Sequence, residues 1–220
     1  MKNLTRLLVL GAALAAAGGA QATDIVLRAG IADVVPKSDN NPAVSVDSNA
    51  TLSLGATVFF TKNFAVDILG ALPFKHDIKL TAAGASAVGG LLETTIAPGT
   101  TVGSTKQLPP TITAQWHFLP GNVVDPYVGL GVNYTNFFSK QTTGPIAGTQ
   151  LNLPPSWGLA AEAGLDFNFG SGFVLSADVR YAKISTHAKV MSGSALVLDV
   201  GTVYIDPMVY GINFGKHFDL

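Results

Sequence analysis

Six ionisable residues, Arg28, Asp67, Glu162, Asp166, Asp178 and Arg180, stand in stretches that are otherwise mostly apolar, small or uncharged. Groups of both signs in such company could form buried ion pairs or a selectivity filter. A filter needs a ring of one sign. This set carries two, and unpaired charges in a narrow low-dielectric space are costly, so the expected chemistry is mutual pairing into an ion-pair plug. The four histidines, His76, His117, His187 and His217, have no metal-ligand spacing, and with no cysteine a zinc site would need several distant carboxylates. No nucleophile elbow or phosphate loop occurs. His76 and Asp77 are the one candidate pair for hydrolase or acyl-transfer chemistry at a rim, but adjacent strand residues point to opposite faces. The expectation is a protein without enzymatic activity, metal or cofactor.

The elements that position these residues follow from composition and periodicity. Of 220 residues, 48% are hydrophobic and only 12% charged, with a mean hydropathy of +0.38. An ordinary soluble domain carries about a quarter charged residues. Beyond the N-terminus, however, no run reaches the roughly 18 uninterrupted apolar residues of a membrane helix. The N-terminus has the form of a secretory signal, with Lys2 and Arg6 at the positive end, an apolar core from Leu7 to Ala17 and Ala20-Gln21-Ala22 as the cleavage site. Residues 1–22 are thus expected to be removed, leaving 23–220 as one exported domain. Losing Lys2 and Arg6 takes the formal charge from −1 to −3, so no basic surface is available for nucleic acid.

After Thr23 the chain alternates apolar and polar residues in segments of about ten, the pattern of transmembrane β-strands. Eight such segments are read: Asp24 to Val35, Thr51 to Phe60, Phe64 to Pro73, Pro110 to Phe118, 126–138, Trp157 to Phe169, Phe173 to Tyr181 and Thr202 to Phe218. The fold class expected is all-β, an eight-stranded antiparallel transmembrane β-barrel. Connections after the second, fourth and sixth segments are short, and those after the first, third, fifth and seventh are long. Short periplasmic turns alternating with long extracellular loops are the habit of outer-membrane barrels. A soluble exported barrel would bury the bulky apolar face inward. Eight strands leave too little interior for it, so that face belongs against lipid. Phe60, Phe64, Trp116, Phe118, Phe167, Phe169, Phe173 and Phe218 then gather near the short turns as an interfacial girdle.

Several positions break the lumen pattern. In "PYVGLGVNYTNFF" (126–138) the inward face carries Gly129 and Gly131, which are expected to leave room for cargo; the rival reading is that they let the strand bend or pack closely against a bulky neighbour such as Arg28 or Glu162. Leu69, Phe137 and Val209 are apolar residues on the polar side and are candidates for lining its path. Pro73, Pro110, Pro154 and Pro155 lie at or beside the outer strand ends. Two readings stand for them: simple strand termination, because proline lacks a ladder donor, or a gap in the wall for lateral exit. The outer loops are short of charge, with Glu93 the only charge from Leu80 to Thr105 and none from Gln141 to Pro155. They could extend the barrel around a hydrophobic cargo or be plain low-complexity loops.

The pieces "RAGIADVVP" (28–36), "LGATVFFTKNFAVDILGALPFKHDI" (54–78), "LPPTITAQWHF" (108–118), "PYVGLGVNYTNFF" (126–138), "SWGLAAEAGLDF" (156–167) and "IDPMVYGINFG" (205–215) together resemble the OmpW/AlkL outer-membrane proteins. The resemblance covers all eight segments in order. It implies residence in the outer membrane of a Gram-negative bacterium, and a narrow hydrophobic route entered from outside, with small apolar molecules leaving sideways down their own gradient. It also implies contact with outer-membrane lipid and lipopolysaccharide, and insertion by the barrel-assembly machinery. The family usually ends on an aromatic residue, whereas Asp219 and Leu220 follow Phe218 here, so Phe218 is expected to serve as the assembly signal. The function expected is a passive channel for small hydrophobic molecules; the alternative is a non-transporting structural or adhesive barrel.

Overall fold

The computed structural model describes residues 22–37 and 41–219. The expected signal segment lies outside the described residues but for Ala22, as does Leu220.

Among the described residues fourteen strands run in chain order: β1 Asp24–Val35, β2 Val44–Val46, β3 Asn49–Phe59, β4 Phe64–Ala71, β5 Phe74–Leu80, β6 Thr101–Leu108, β7 Thr111–His117, β8 Val124–Thr142, β9 Gln150–Asn152, β10 Ser156–Asn168, β11 Phe173–Ala182, β12 Ser185–Ser192, β13 Ala195–Tyr204 and β14 Met208–Asp219. Helix α1, Ala82–Leu91, lies between β5 and β6. Strands β1, β3, β4, β7, β8, β10, β11 and β14 each pair antiparallel with the next, and β14 returns to β1 (Asp24↔Asp219 through Val35↔Met208). The barrel is therefore closed, each of these eight strands pairing on both sides.

Alternation sets the two faces. Leu130, Trp157 and Leu159 project outward with 73%, 73% and 71% of their surface exposed, beside Ile31, Leu52 and Ile212. The inward residues between them, such as Thr57, Asp67, Asn133 and Ser176, are buried. Such an inside-out distribution is stable only where the outer solvent is hydrocarbon. Of the expected girdle, Phe64, Trp116, Phe118, Phe169, Phe173 and Phe218 are all exposed near the short-turn end.

The eight expected segments match the eight wall strands, with one correction. The segment from Thr202 to Phe218 is two strands, β13 and β14, broken at Ile205–Pro207. Asp206 takes a φ of 37° there, and Pro207 lacks an N–H. The ladder cannot run through both.

Beyond the long-loop end the chain builds an extension. β8, 19 residues long, leaves the wall and pairs with β6 (Gly103↔Thr142, Leu108↔Asn136). β5 pairs with β6 and β2, and β12 pairs with β13 and β9. Helix α1 forms from a small-residue stretch because Thr81 caps it, accepting from Gly84 N–H at 3.2 Å. Gly84 also lies against Ala43, whose carbonyl would stand 1.9 Å from any added Cβ. The extension has a real apolar core, including Val44, Leu80, Val88, Phe137, Ile184 and Ile205.

Candidate functional site: an ion cluster beneath two chambers

Six ionisable side chains converge at mid-lumen. Arg28 comes from β1, Asp67 from β4, Glu162 and Asp166 from β10, and Asp178 and Arg180 from β11. Arg180 Nη1 lies 2.9 Å from Asp67 Oδ2 and 2.7 Å from Glu162 Oε2, and its Nε donates to Asp178 Oδ1 at 2.8 Å. Arg28 Nη2 donates to Asp166 Oδ2 at 2.6 Å, and its Nη1 stands 3.8 Å from Asp67 Oδ1. Asp67 thereby joins the two arginines into one network.

Uncharged groups complete the shell. Thr57 donates to Asp67 at 2.6 Å, Ser176 to Asp166 at 2.6 Å, Asn213 to Asp178 at 3.0 Å and Gln115 to Glu162 at 2.8 Å, and Thr113 also donates to Glu162. Five of the six charged residues are buried as whole residues, and the Asp178 side chain is only 3% exposed. Buried charges persist only when paired and hydrogen-bonded in this way. Toward the short turns, His117 stacks on Tyr127 with ring centroids 5.0 Å apart and meets Asp125 at 2.9 Å.

Arg180 is also part of the floor of a cavity. This lower chamber is walled by Leu69, Ala71, Phe74, Gln107, Pro109, Thr111 and Val209 among others. A second, upper chamber lies within the extension, lined by Phe137, Ile78, Leu151, Val190, Ile205 and others, with His76, Thr105, Gln107 and Thr186 as its polar members. Gln107 borders both chambers. The upper chamber holds about 70 Å3 and the lower about 40 Å3. One water needs about 10–15 Å3, so each chamber admits more than a single water.

The wall of the lower chamber is interrupted. β4 and β7 pair from Phe64↔Trp116 to Leu69↔Thr111, and pairing resumes between β5 and β6 at Phe74↔Gln107. Among the described residues, no backbone hydrogen bond crosses from 70–73 to 108–110. Pro109 and Pro110 have no N–H to offer, and the Leu72 N–H turns to Leu52 O on the other side at 2.9 Å.

The predicted pathway residues divide. Leu69 and Val209 line the lower chamber and Phe137 the upper one. Gly129 and Gly131 do not leave room for cargo, which corrects the expectation. A Cβ on Gly129 would stand 2.5 Å from Glu162 Oε1, and one on Gly131 would stand 1.9 Å from Ile112 O. Their small size admits the Glu162 side chain and a close backbone approach, and neither glycine lines a chamber.

Pro73 and Pro110 flank the ladder break. Pro154 and Pro155 do not: β10 pairs with β8 from Ser156↔Thr135 onward, and Ser185 N–H donates to Ser156 Oγ at 3.0 Å. His76 and Asp77 point apart, with Asp77 paired to exposed Lys75 at 2.9 Å and His76 facing the upper chamber. Pro109 and Gln107 also border the break, and neither departs from the alternation; the strand-ending "QLPP" (107–110) is the local signal for both.

A closed eight-stranded antiparallel barrel with an apolar exterior and a polar, ion-paired lumen defines an outer-membrane β-barrel. The chain belongs to the OmpW family, whose profile matches residues 20–218. It is 37% identical over 209 residues to outer membrane protein W of Vibrio cholerae serotype O1, covering 90% of each chain. It is 27% identical over 173 residues to outer membrane protein AlkL of Ectopseudomonas oleovorans, covering 78% of this chain and 67% of that one. The crystal structure of OprG from Pseudomonas aeruginosa superposes with a TM-score of 0.73 at 32% identity, covering 90% of this chain and 97% of that one. The protein resides in the outer membrane of a Gram-negative bacterium.

Proposed function

We propose that this barrel is a passive outer-membrane channel for small hydrophobic molecules, with lateral exit through the wall and no covalent chemistry. Cargo enters the extension from the extracellular side, passes from the upper to the lower chamber, and leaves between β4 and β7 into lipid. The observation that carries this reading is that residues on both banks of the ladder break, Leu69, Ala71 and Phe74 on one and Gln107, Pro109 and Thr111 on the other, also line the lower chamber. The ion cluster beneath supports it from the other direction, since the six charges close the straight route to the periplasm against water and ions. In this reading residues 1–22 act as the export signal, the barrel-assembly machinery inserts the remainder, and the extension lifts the entrance through the lipopolysaccharide layer.

The test is the initial rate of uptake of a hydrophobic compound by cells with and without the protein. A rate that rises with the amount of assembled barrel supports the channel. Equal rates would leave the structural or adhesive barrel as the function.

A further inference from the structure

Two side chains facing the upper chamber have polar atoms with no partner in a wall that is otherwise almost wholly apolar. His76 and Gln107 are each only 1% exposed. Neither His76 Nε2 nor either terminal atom of Gln107 meets a hydrogen-bonding group among the described residues. Buried polar groups are rarely left this way, and an exception calls for a ligand or another explanation.

Their placement is ordered. On the β5–β6 ladder Phe74 stands opposite Gln107 and His76 opposite Thr105, so His76 and Gln107 are diagonal neighbours on one face. Such neighbours lie about 7–8 Å apart along the backbone, a span that one small group can bridge. The His76 ring packs edge-on against Phe74 at 5.0 Å between centroids, and Gln107 pairs on its other side with Phe137. The polar atoms are therefore held between aromatic rings.

The tautomer follows from the contact of His76 with Asp47. Its Nδ1 is 2.5 Å from the Asp47 carbonyl oxygen, which can only accept, so Nδ1 carries the proton. Burial pushes the imidazole below its ordinary pKa, which keeps it neutral. Nε2 then presents a bare lone pair, while the Gln107 amide offers both N–H groups and an acceptor oxygen. A hydroxyl can donate to Nε2 and accept from the amide at once. A hydrocarbon satisfies neither group, and a carboxylate would bring an unpaired charge into an apolar chamber.

We propose that the upper chamber is a selectivity site for apolar molecules bearing one uncharged hydroxyl, a phenol or a medium-chain alcohol, held between His76 and Gln107. This rests on the channel reading and names the cargo class within it. Because Gln107 also borders the lower chamber, the group that recognises the hydroxyl stands at the passage between the two.

Site and channel are tested separately on the full barrel in lipid nanodiscs and in cells. Saturation-transfer NMR compares 4-ethylphenol with ethylbenzene on the wild type, Gln107→Leu and His76→Phe, each verified as a heat-modifiable barrel. Gln107→Leu keeps the side-chain bulk and breaks no existing hydrogen bond, so it serves should His76→Phe fail to assemble. Wild type should favour the phenol by about tenfold, and each assembled variant should bring the ratio near unity. An unchanged ratio in Gln107→Leu overturns the proposal, as does a wild type that binds both compounds equally. Uptake of the same pair by cells reads the channel. Phenol selectivity in nanodiscs without protein-dependent uptake would overturn transport and leave the site standing.

Discussion

Asp67 on β4 and Arg180 on β11 meet at 2.9 Å across the lumen although 113 residues separate them in the chain. They come together only when the barrel closes, so their pairing couples a mid-lumen charge to the integrity of the whole wall.

Replacing Arg180 by methionine therefore leaves Asp67, Glu162 and Asp178 facing one another without their shared cation. Breaking a buried pair in this way costs about 3–5 kcal/mol. Urea unfolding of the barrel in lipid vesicles should show a loss of that order, and planar-bilayer recordings should show a rise in ion conductance. A loss well under about 1 kcal/mol would mean that the cluster is solvated.

The outer face gives a second prediction. Leu130 projects into lipid near the middle of its wall strand, where β8 pairs with Ala114 and Ala161. Leu130→Arg should cost about 2–4 kcal/mol in vesicle refolding, whereas Leu130→Ile should be close to neutral. Equal effects would contradict the lipid-facing assignment.

Gly131 and Gly129 should differ in their tolerance of alanine. At Gly131 the added methyl meets the Ile112 carbonyl and Thr113 Cα, which are backbone and cannot yield, while at Gly129 it meets the Glu162 side chain. Gly131→Ala should impair assembly more than Gly129→Ala, as read by heat-modifiability on gels. Uptake per assembled molecule should be unchanged in Gly131→Ala, because that glycine lines neither chamber.

The ladder break can be mended. Pro109→Val together with Pro110→Val restores one N–H donor on each side of the strand. That of residue 109 faces β4, because the Pro110 backbone is turned to β8, where its carbonyl accepts from Tyr134 N–H at 3.0 Å. A new hydrogen bond to β4 adds about 0.5–1.5 kcal/mol of stability. The double variant should unfold at higher urea and take up hydrophobic compounds more slowly than wild type. Faster or equal uptake at raised stability would place the exit elsewhere.

Alternation along the chain made the wall legible, because a strand with lipid on one side and a polar lumen on the other repeats every second residue. The same rule exposed Leu69, Phe137 and Val209 as departures, and all three line a chamber. It did not reveal β5, β6, β12 and β13 as an extension, nor α1 within "AAGASAVGGL", where four glycines and serines depress helix propensity and the Thr81 cap and Ala43 contact decide the outcome. Gly129 and Gly131 misled for a related reason. A glycine facing inward says that something comes close, and only the cross-strand partners, Glu162 and Ile112, say what.

The break between β4 and β7 fixes where a cargo's journey stops on the proposed route. A conduit that discharges into the bilayer has no aqueous product compartment, so its counter-pressure is the solute already dissolved in the membrane. On that route the barrel would be a shunt around the resistance of the sugar layer, unable to fill the membrane beyond its partition equilibrium with the medium. Sustained flow would then depend on whatever drains the bilayer on its inner side, a step that sets the throughput without touching the barrel.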